Sequence, residues 1–200
     1  MPSFPLFVPL LACSLGGAFA AAQTATNVPA LTLGQKFDHH AAGTAGIQAF
    51  VGAGFGSALS QWSNTPSEWG QGFDGYSKRY ASSFGSNLTR QAIAFGLEGA
   101  LHEDPRYFPS EDKRLSMRIK SVLLQTVMTR TDSGGRRFAT ARVGSAFITG
   151  QIVNAWQPPS NDGVGNGVIR GMITLSVDAA SNLAQEFIPW LRPRSLRHHN

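Results

Sequence analysis

The chain has 200 residues, with 17 Lys and Arg against 12 Asp and Glu and a net charge of +5. Only 14% of the residues are charged, and the basic ones are spread along the chain instead of sharing one stripe with aromatics, which argues against nucleic acid as a partner. Cys13 is the only cysteine, so neither a disulfide framework nor a cysteine-based metal site is available.

The first 35 residues contain no Lys, Arg, Asp or Glu. An apolar run over 4–22 ends in Ala18-Phe19-Ala20 and Ala20-Ala21-Ala22, both small-x-small patterns suited to a signal peptidase, before polar Gln23-Thr24. The expectation is a signal peptide over 1–22 and an exported protein of the periplasm or the membrane-associated cell envelope. The run lacks the Lys or Arg that usually precedes such a segment. Leu10-Leu11-Ala12-Cys13 offers a second cut, in which Cys13 is a candidate lipidation site. A flexible linker over 23–35, a helical domain over 36–191 and a basic tail over 192–200 complete the expected organisation. The tail carries Arg192, Arg194, Arg197, His198 and His199 beside Trp190, which suits an anionic membrane surface or a plain solvated end.

Helical periodicity dominates the rest. Over 40–62, Ile47, Val51, Phe55, Leu59 and Trp62 fall on one side of a helix, and Ala42, Ala45, Gly46, Ala49, Gly52, Ala53 and Gly56 on the other. So small-sided and uncharged a helix invites close approach by another backbone, in a tight bundle or in lipid. A second helix is expected over 74–101, stopped by Asp104-Pro105. A third fits 111–129, and Thr131-Asp132-Ser133-Gly134-Gly135 reads as a loop. A fourth covers 138–156, ended by Pro158-Pro159, and a fifth runs over 168–191. On that last helix Arg170, Thr174, Asp178, Ser181 and Gln185 share a polar arc about 80° wide. It reads as a solvent-facing stripe, with a wet interior as the alternative. Gly163, Gly167 and Gly171 stand four apart at its entrance. The predicted fold is therefore an all-α, single-domain bundle of about five helices with Gly/Ala faces.

Two groups of side chains are candidates for chemistry. Glu98 and His102 stand one turn apart on the second helix, with Asp104 next to them; such a set can pair, hold a divalent metal or serve a metal-assisted hydrolase. His39 and His40 could complete the cluster from the first helix. Simple pairing is the alternative, and the spacing matches no diagnostic metal motif. The other group is Arg130, Ser133, Gly134, Gly135, Arg136 and Arg137, where glycine backbone and arginines could hold an anion. There too the alternative is plain: the arginines pair with Asp132 and the glycines make a turn. No cofactor is expected unless the metal reading holds.

Glu68-Trp69-Gly70-Gln71-Gly72, Ala100-Leu101-His102-Glu103-Asp104-Pro105-Arg106-Tyr107-Phe108 and Arg130-Thr131-Asp132-Ser133-Gly134-Gly135 resemble segments of a family of exported bacterial proteins of acidobacterial type. The resemblance extends over most of the chain to Gln185-Glu186-Phe187-Ile188-Pro189-Trp190. It implies an exported, single-domain bacterial protein and carries no activity or catalytic residue with it. The expected function is a non-enzymatic envelope component whose partner is a membrane surface or an envelope protein, with self-association left open.

Overall fold

The computed structural model describes residues 28–191; the expected signal segment, Cys13 and the basic tail lie outside the described residues. Within that range the chain is mostly helical, as expected. The first helix, α1 (Leu33–Ala45), starts earlier than the apolar pattern suggested. Thr32 accepts from the Gln35 N–H, and the Gln35 side chain accepts from the Thr32 N–H, a capping box that fixes this start. Extended backbone at Gly46 then separates α1 from α2 (Ile47–Trp62), so the single helix expected over 40–62 is two.

A 3-10 turn at Ser67–Trp69 leads into the long α3 (Gly72–Leu101). His102 ends α3 in the left-handed conformation, and a segment without helix follows as far as α4 (Leu115–Val127). The expected loop at 131–135 is the turn of a small antiparallel hairpin, β1 (Met128–Arg130) with β2 (Arg136–Phe138), Thr129 standing opposite Arg137. The chain continues through α5 (Thr140–Ile152), a 3-10 turn at Val153–Trp156, α6 (Val164–Phe187) and a last turn at Pro189–Leu191.

Helix α3 forms the spine of the bundle: α1, α2 and α5 all pack on it, while α6 lies between α5 and α4. Glycine permits the closest of these contacts. A Cβ on Gly150 of α5 would lie 2.2 Å from the Gly167 carbonyl oxygen of α6, and one on Gly171 would enter the Phe147 ring. Two of the three glycines spaced by four are therefore α6 contact positions, and Gly163 is its N-cap.

The burial pattern is inverted. Among the described residues, the fully buried large side chains are chiefly polar or charged: Arg79, Lys36, Glu103 and Glu186 are each at most 2% exposed. Most of the buried apolar residues are small, and five of the nine are alanines. The large apolar side chains instead face outward on every α-helix, with Ile47, Val51, Phe55, Leu59 and Trp62 of α2 and Ile169, Met172, Ile173 and Val177 of α6 all exposed. The solvent-facing reading of the α6 polar arc holds only in part: Ser181 is exposed, but Arg170, Thr174 and Gln185 are half-buried and Asp178 is largely buried, while Asn182 and Glu186 beside the arc lie in the interior. Helical period identifies the two sides of such a helix but not which of them turns inward.

Candidate functional site

The turn after α3 is the polar heart of the molecule. Because His102 reverses the chain, Glu103, Asp104, Arg106, Tyr107 and Phe108 thread inward between helices, and all five are buried. Each charged member has a partner. Glu103 binds Arg137 and accepts from the Thr140 and Ala141 N–H groups at the start of α5. Asp104 is held in a two-pronged pair by Arg106, whose guanidinium also donates to the Pro29 carbonyl at 2.8 Å. The Tyr107 hydroxyl donates to Glu186 at 2.8 Å, and Arg118 binds the same carboxylate from α4. Burial works against ionisation of Glu186, but the Arg118, Ser110 N–H and Tyr107 hydrogen bonds outweigh it and hold its carboxyl below the usual range.

Glu98, His102 and Asp104 do not converge. Glu98 points into the bundle, where its carboxylate lies 2.6 Å from Nε2 of His40 on α1. His102 is 78% exposed and approaches Asp132 at 3.5 Å, while Asp104 is committed to Arg106. The helical spacing that puts Glu98 and His102 one turn apart fails because His102 has already left helical geometry. Among the described residues no group of three or more His, Cys, Asp or Glu is placed to hold a metal ion. The candidate anion loop is likewise dispersed. Arg137 pairs with Glu103, Arg130 lies over the Phe108 ring, and Arg136 is exposed. Thr131 and Ser133 bond each other, and Gly134 supplies the turn with a φ of 87°. Asp132 meets Lys36, a partner from α1. At the nearest helix start, that of α5, the anion is Glu103 of the chain itself.

What the packing does assemble is a polar cavity of about 160 Å³ among α1, α3, α5 and α6. His39 and His40 come from α1, Arg90, Gln91 and Glu98 from α3, Arg142 from α5, and Asp178, Asn182 and Gln185 from α6. Arg90 pairs with Asp178, and His40 bonds both Glu98 and Gln91. Arg142 donates to the Gln125 and Pro105 carbonyls. Desolvation, helped by the charge of His40, pushes His39 down to about 4, so it is neutral at pH 7. Burial also disfavours charge on His40, but the Glu98 hydrogen bond and charge outweigh it and raise this imidazole above 6.5. Desolvation lowers Arg142 from the usual arginine range.

Sequence reading singled out Glu98 and Asp178 and let His39 and His40 join Glu98 from the first helix, but it did not bring Asp178 or Arg142 to them. It passed over Arg90, Gln91 and Lys36, whose only local signal is a polar residue on a helix of mixed pattern. A second hollow, an open groove of about 610 Å³, runs along α3 between Trp69 and Trp156 over Ala81, Ser82 and Gly85. No described helix is long and apolar enough to cross a membrane. Comparison with protein-family models, with curated proteins and with solved structures finds no match for this chain.

Proposed function

We propose that the protein is a non-enzymatic component of the bacterial cell envelope whose helical bundle packs its apolar exterior against the membrane. The observation that carries this reading is the inverted burial: charged side chains such as Arg79, Lys36 and Glu186 are sealed inside while large apolar residues crowd the outer faces of α2, α4 and α6. Monomers that work in water rarely expose contiguous apolar surface on this scale. A protein partner covers one face; apolar faces on several different helices suit a surrounding medium, and lipid is that medium. Exposed charge on α2, α5 and α6 is absent among the described residues, which favours the same setting. The uncharged N-terminal run and the resemblance to exported acidobacterial-type proteins support the envelope as the compartment. The hydrolase alternative loses ground because Glu98, His102 and Asp104 have separate partners.

The test is fractionation of the natively expressed protein, with the membrane pellet washed in high salt and then in carbonate. Retention in the pellet through both washes is expected. Release by salt together with a stoichiometric protein partner, or recovery in the soluble fraction, would overturn the lipid reading.

A further inference from the structure

Helix α2 presents an outer face that no other described residue covers. Ile47, Val51, Phe55 and Leu59 stand four apart in one row along it, and all four are exposed. The adjacent row is Gln48, Gly52, Gly56 and Ser60, where a Cβ at either glycine would meet nothing within 4 Å. A ridge of large side chains therefore runs beside a notch. Rows of this kind interdigitate when two helices cross, and glycine lets the two backbones come close. Glycine is a poor helix residue, and Gly52 and Gly56 permit no close contact within the described fold. The other helical glycines that face open space, Gly34, Gly85, Gly96 and Gly165, have no second open glycine one turn away.

The extent of the face gives a second, separate argument. Trp62 and Phe73 close one end of it, each 87% exposed, and the Gln61 amide that donates to the Gly72 carbonyl keeps them together. An aromatic side chain covers about 150–250 Å², so these two rings and Phe55 leave roughly 500 Å² open. Ile47, Val51 and Leu59 bring the face to roughly 800 Å², the share that each partner gives to a standard interface. In a twofold dimer a charge near the axis meets its own copy, and α2 contains no Lys, Arg, Asp or Glu.

We propose that the outer face of α2 docks on the same face of a second copy of this chain, in a twofold dimer whose closest approach is at Gly52 and Gly56. The ridge of each copy enters the notch of the other, so one surface supplies both halves of the contact. Lipid on α4 and α6 is compatible with such a dimer, and neither reading needs the other.

The purified full-length protein is sedimented at micromolar concentration in neutral detergent and, separately, in detergent-free buffer. A dimer is expected in detergent. A Gly52→Leu, Gly56→Leu double variant, which fills the notch with good helix formers, should weaken it at least about tenfold. The Met172→Glu, Ile173→Lys change on α6 should leave it intact. Mild oxidation of Val51→Cys should link two chains above the background set by Cys13 in the parent, and Met172→Cys should not. The cysteine readout keeps both glycines, so it decides the matter even if the leucine variant fails to fold. A monomer in both solvents, a dimer indifferent to the glycine substitutions, or linkage through Met172→Cys in preference to Val51→Cys overturns the proposal. A monomer that still resists carbonate washing would leave α2 to lipid, which separates this failure from failure of the membrane reading.

Discussion

Glu103 links the turn after α3 to the first N–H groups of α5 and to Arg137 of the hairpin, all from a position only 1% exposed. Glu103→Gln keeps an oxygen for the α5 N–H groups but removes the charge that faces them and the half-exposed Arg137 guanidinium. It is therefore expected to cost about 1–3 kcal/mol, seen as a lower denaturant midpoint with an unchanged slope. The neighbouring histidines carry the pH dependence. His39 has a folded value of about 4 against 6.5 for an ordinary imidazole, so the unfolded chain binds its proton first as the pH falls. Its contribution is intact above about 6.5 and drains away between there and 4, by on the order of 3 kcal/mol. His40 has the opposite sign: raised by Glu98, it stabilises below 6.5, and that stability is lost as the pH climbs through its folded value. NMR titration of the two imidazoles should give one midpoint near 4 and one above 6.5. His39→Phe should flatten the acid limb of the stability curve. Two ordinary midpoints near 6.5 would show that neither environment is as described.

Glycine distribution decides how closely the helices approach. The Gly150 Cα faces the Gly167 backbone of α6, where a methyl group would require the two helices to part. Gly150→Ala should lower the melting temperature, with a loss of about 1–3 kcal/mol. Gly96, on the exposed side of α3, has nothing within 4 Å of where its Cβ would stand. Gly96→Ala should raise stability by up to about 1 kcal/mol, because alanine removes the entropy penalty of a helical glycine. Thermal melts of the pair separate close packing from helix propensity; a loss in both would point to propensity playing no part. The helix starts show a similar division. The Thr32–Gln35 capping box is written in the local sequence and sets the first residue of α1. The two-helix split at Gly46 is harder to read, since glycine is abundant on that face and only one of them adopts extended backbone at the junction.

At the scale of the whole molecule, many large apolar side chains lie outside and several charged pairs inside, among the described residues. Met172 and Ile173 of α6 are 59% and 57% exposed, and neither is part of the packed interior. A Met172→Glu, Ile173→Lys double variant is expected to keep its helical circular dichroism while losing association with phospholipid vesicles in flotation. Unchanged flotation would remove α6 from the membrane-facing surface. The interior pairs are the counterpart of that exterior: charged groups taken out of water are stable only where they find partners inside the protein. Lys36 with Asp132, His40 with Glu98 and Arg90 with Asp178 each join segments more than 50 residues apart in the chain.

The local sequence was sufficient for helical class and for most breaks, because periodicity, proline and glycine-rich turns act over a few residues. Asp104-Pro105, Thr131 to Gly135 and Pro158-Pro159 all fall between helices as their composition requires. The same local logic described α6 as two-sided and set Glu98 among the candidates for chemistry. It could not say that the polar side turns inward, since helical period is indifferent to the polarity of the surroundings. It let His40 join Glu98, but it could not show that His102 stays apart, or that Arg90, Arg142 and Asp178 share the same cavity. Those outcomes depend on which helices become neighbours and on a single left-handed residue that takes His102 out of the α3 helix. Long-range packing alone decided them, because charge pairing across a bundle is settled by the folded path of the chain and not by spacing along it.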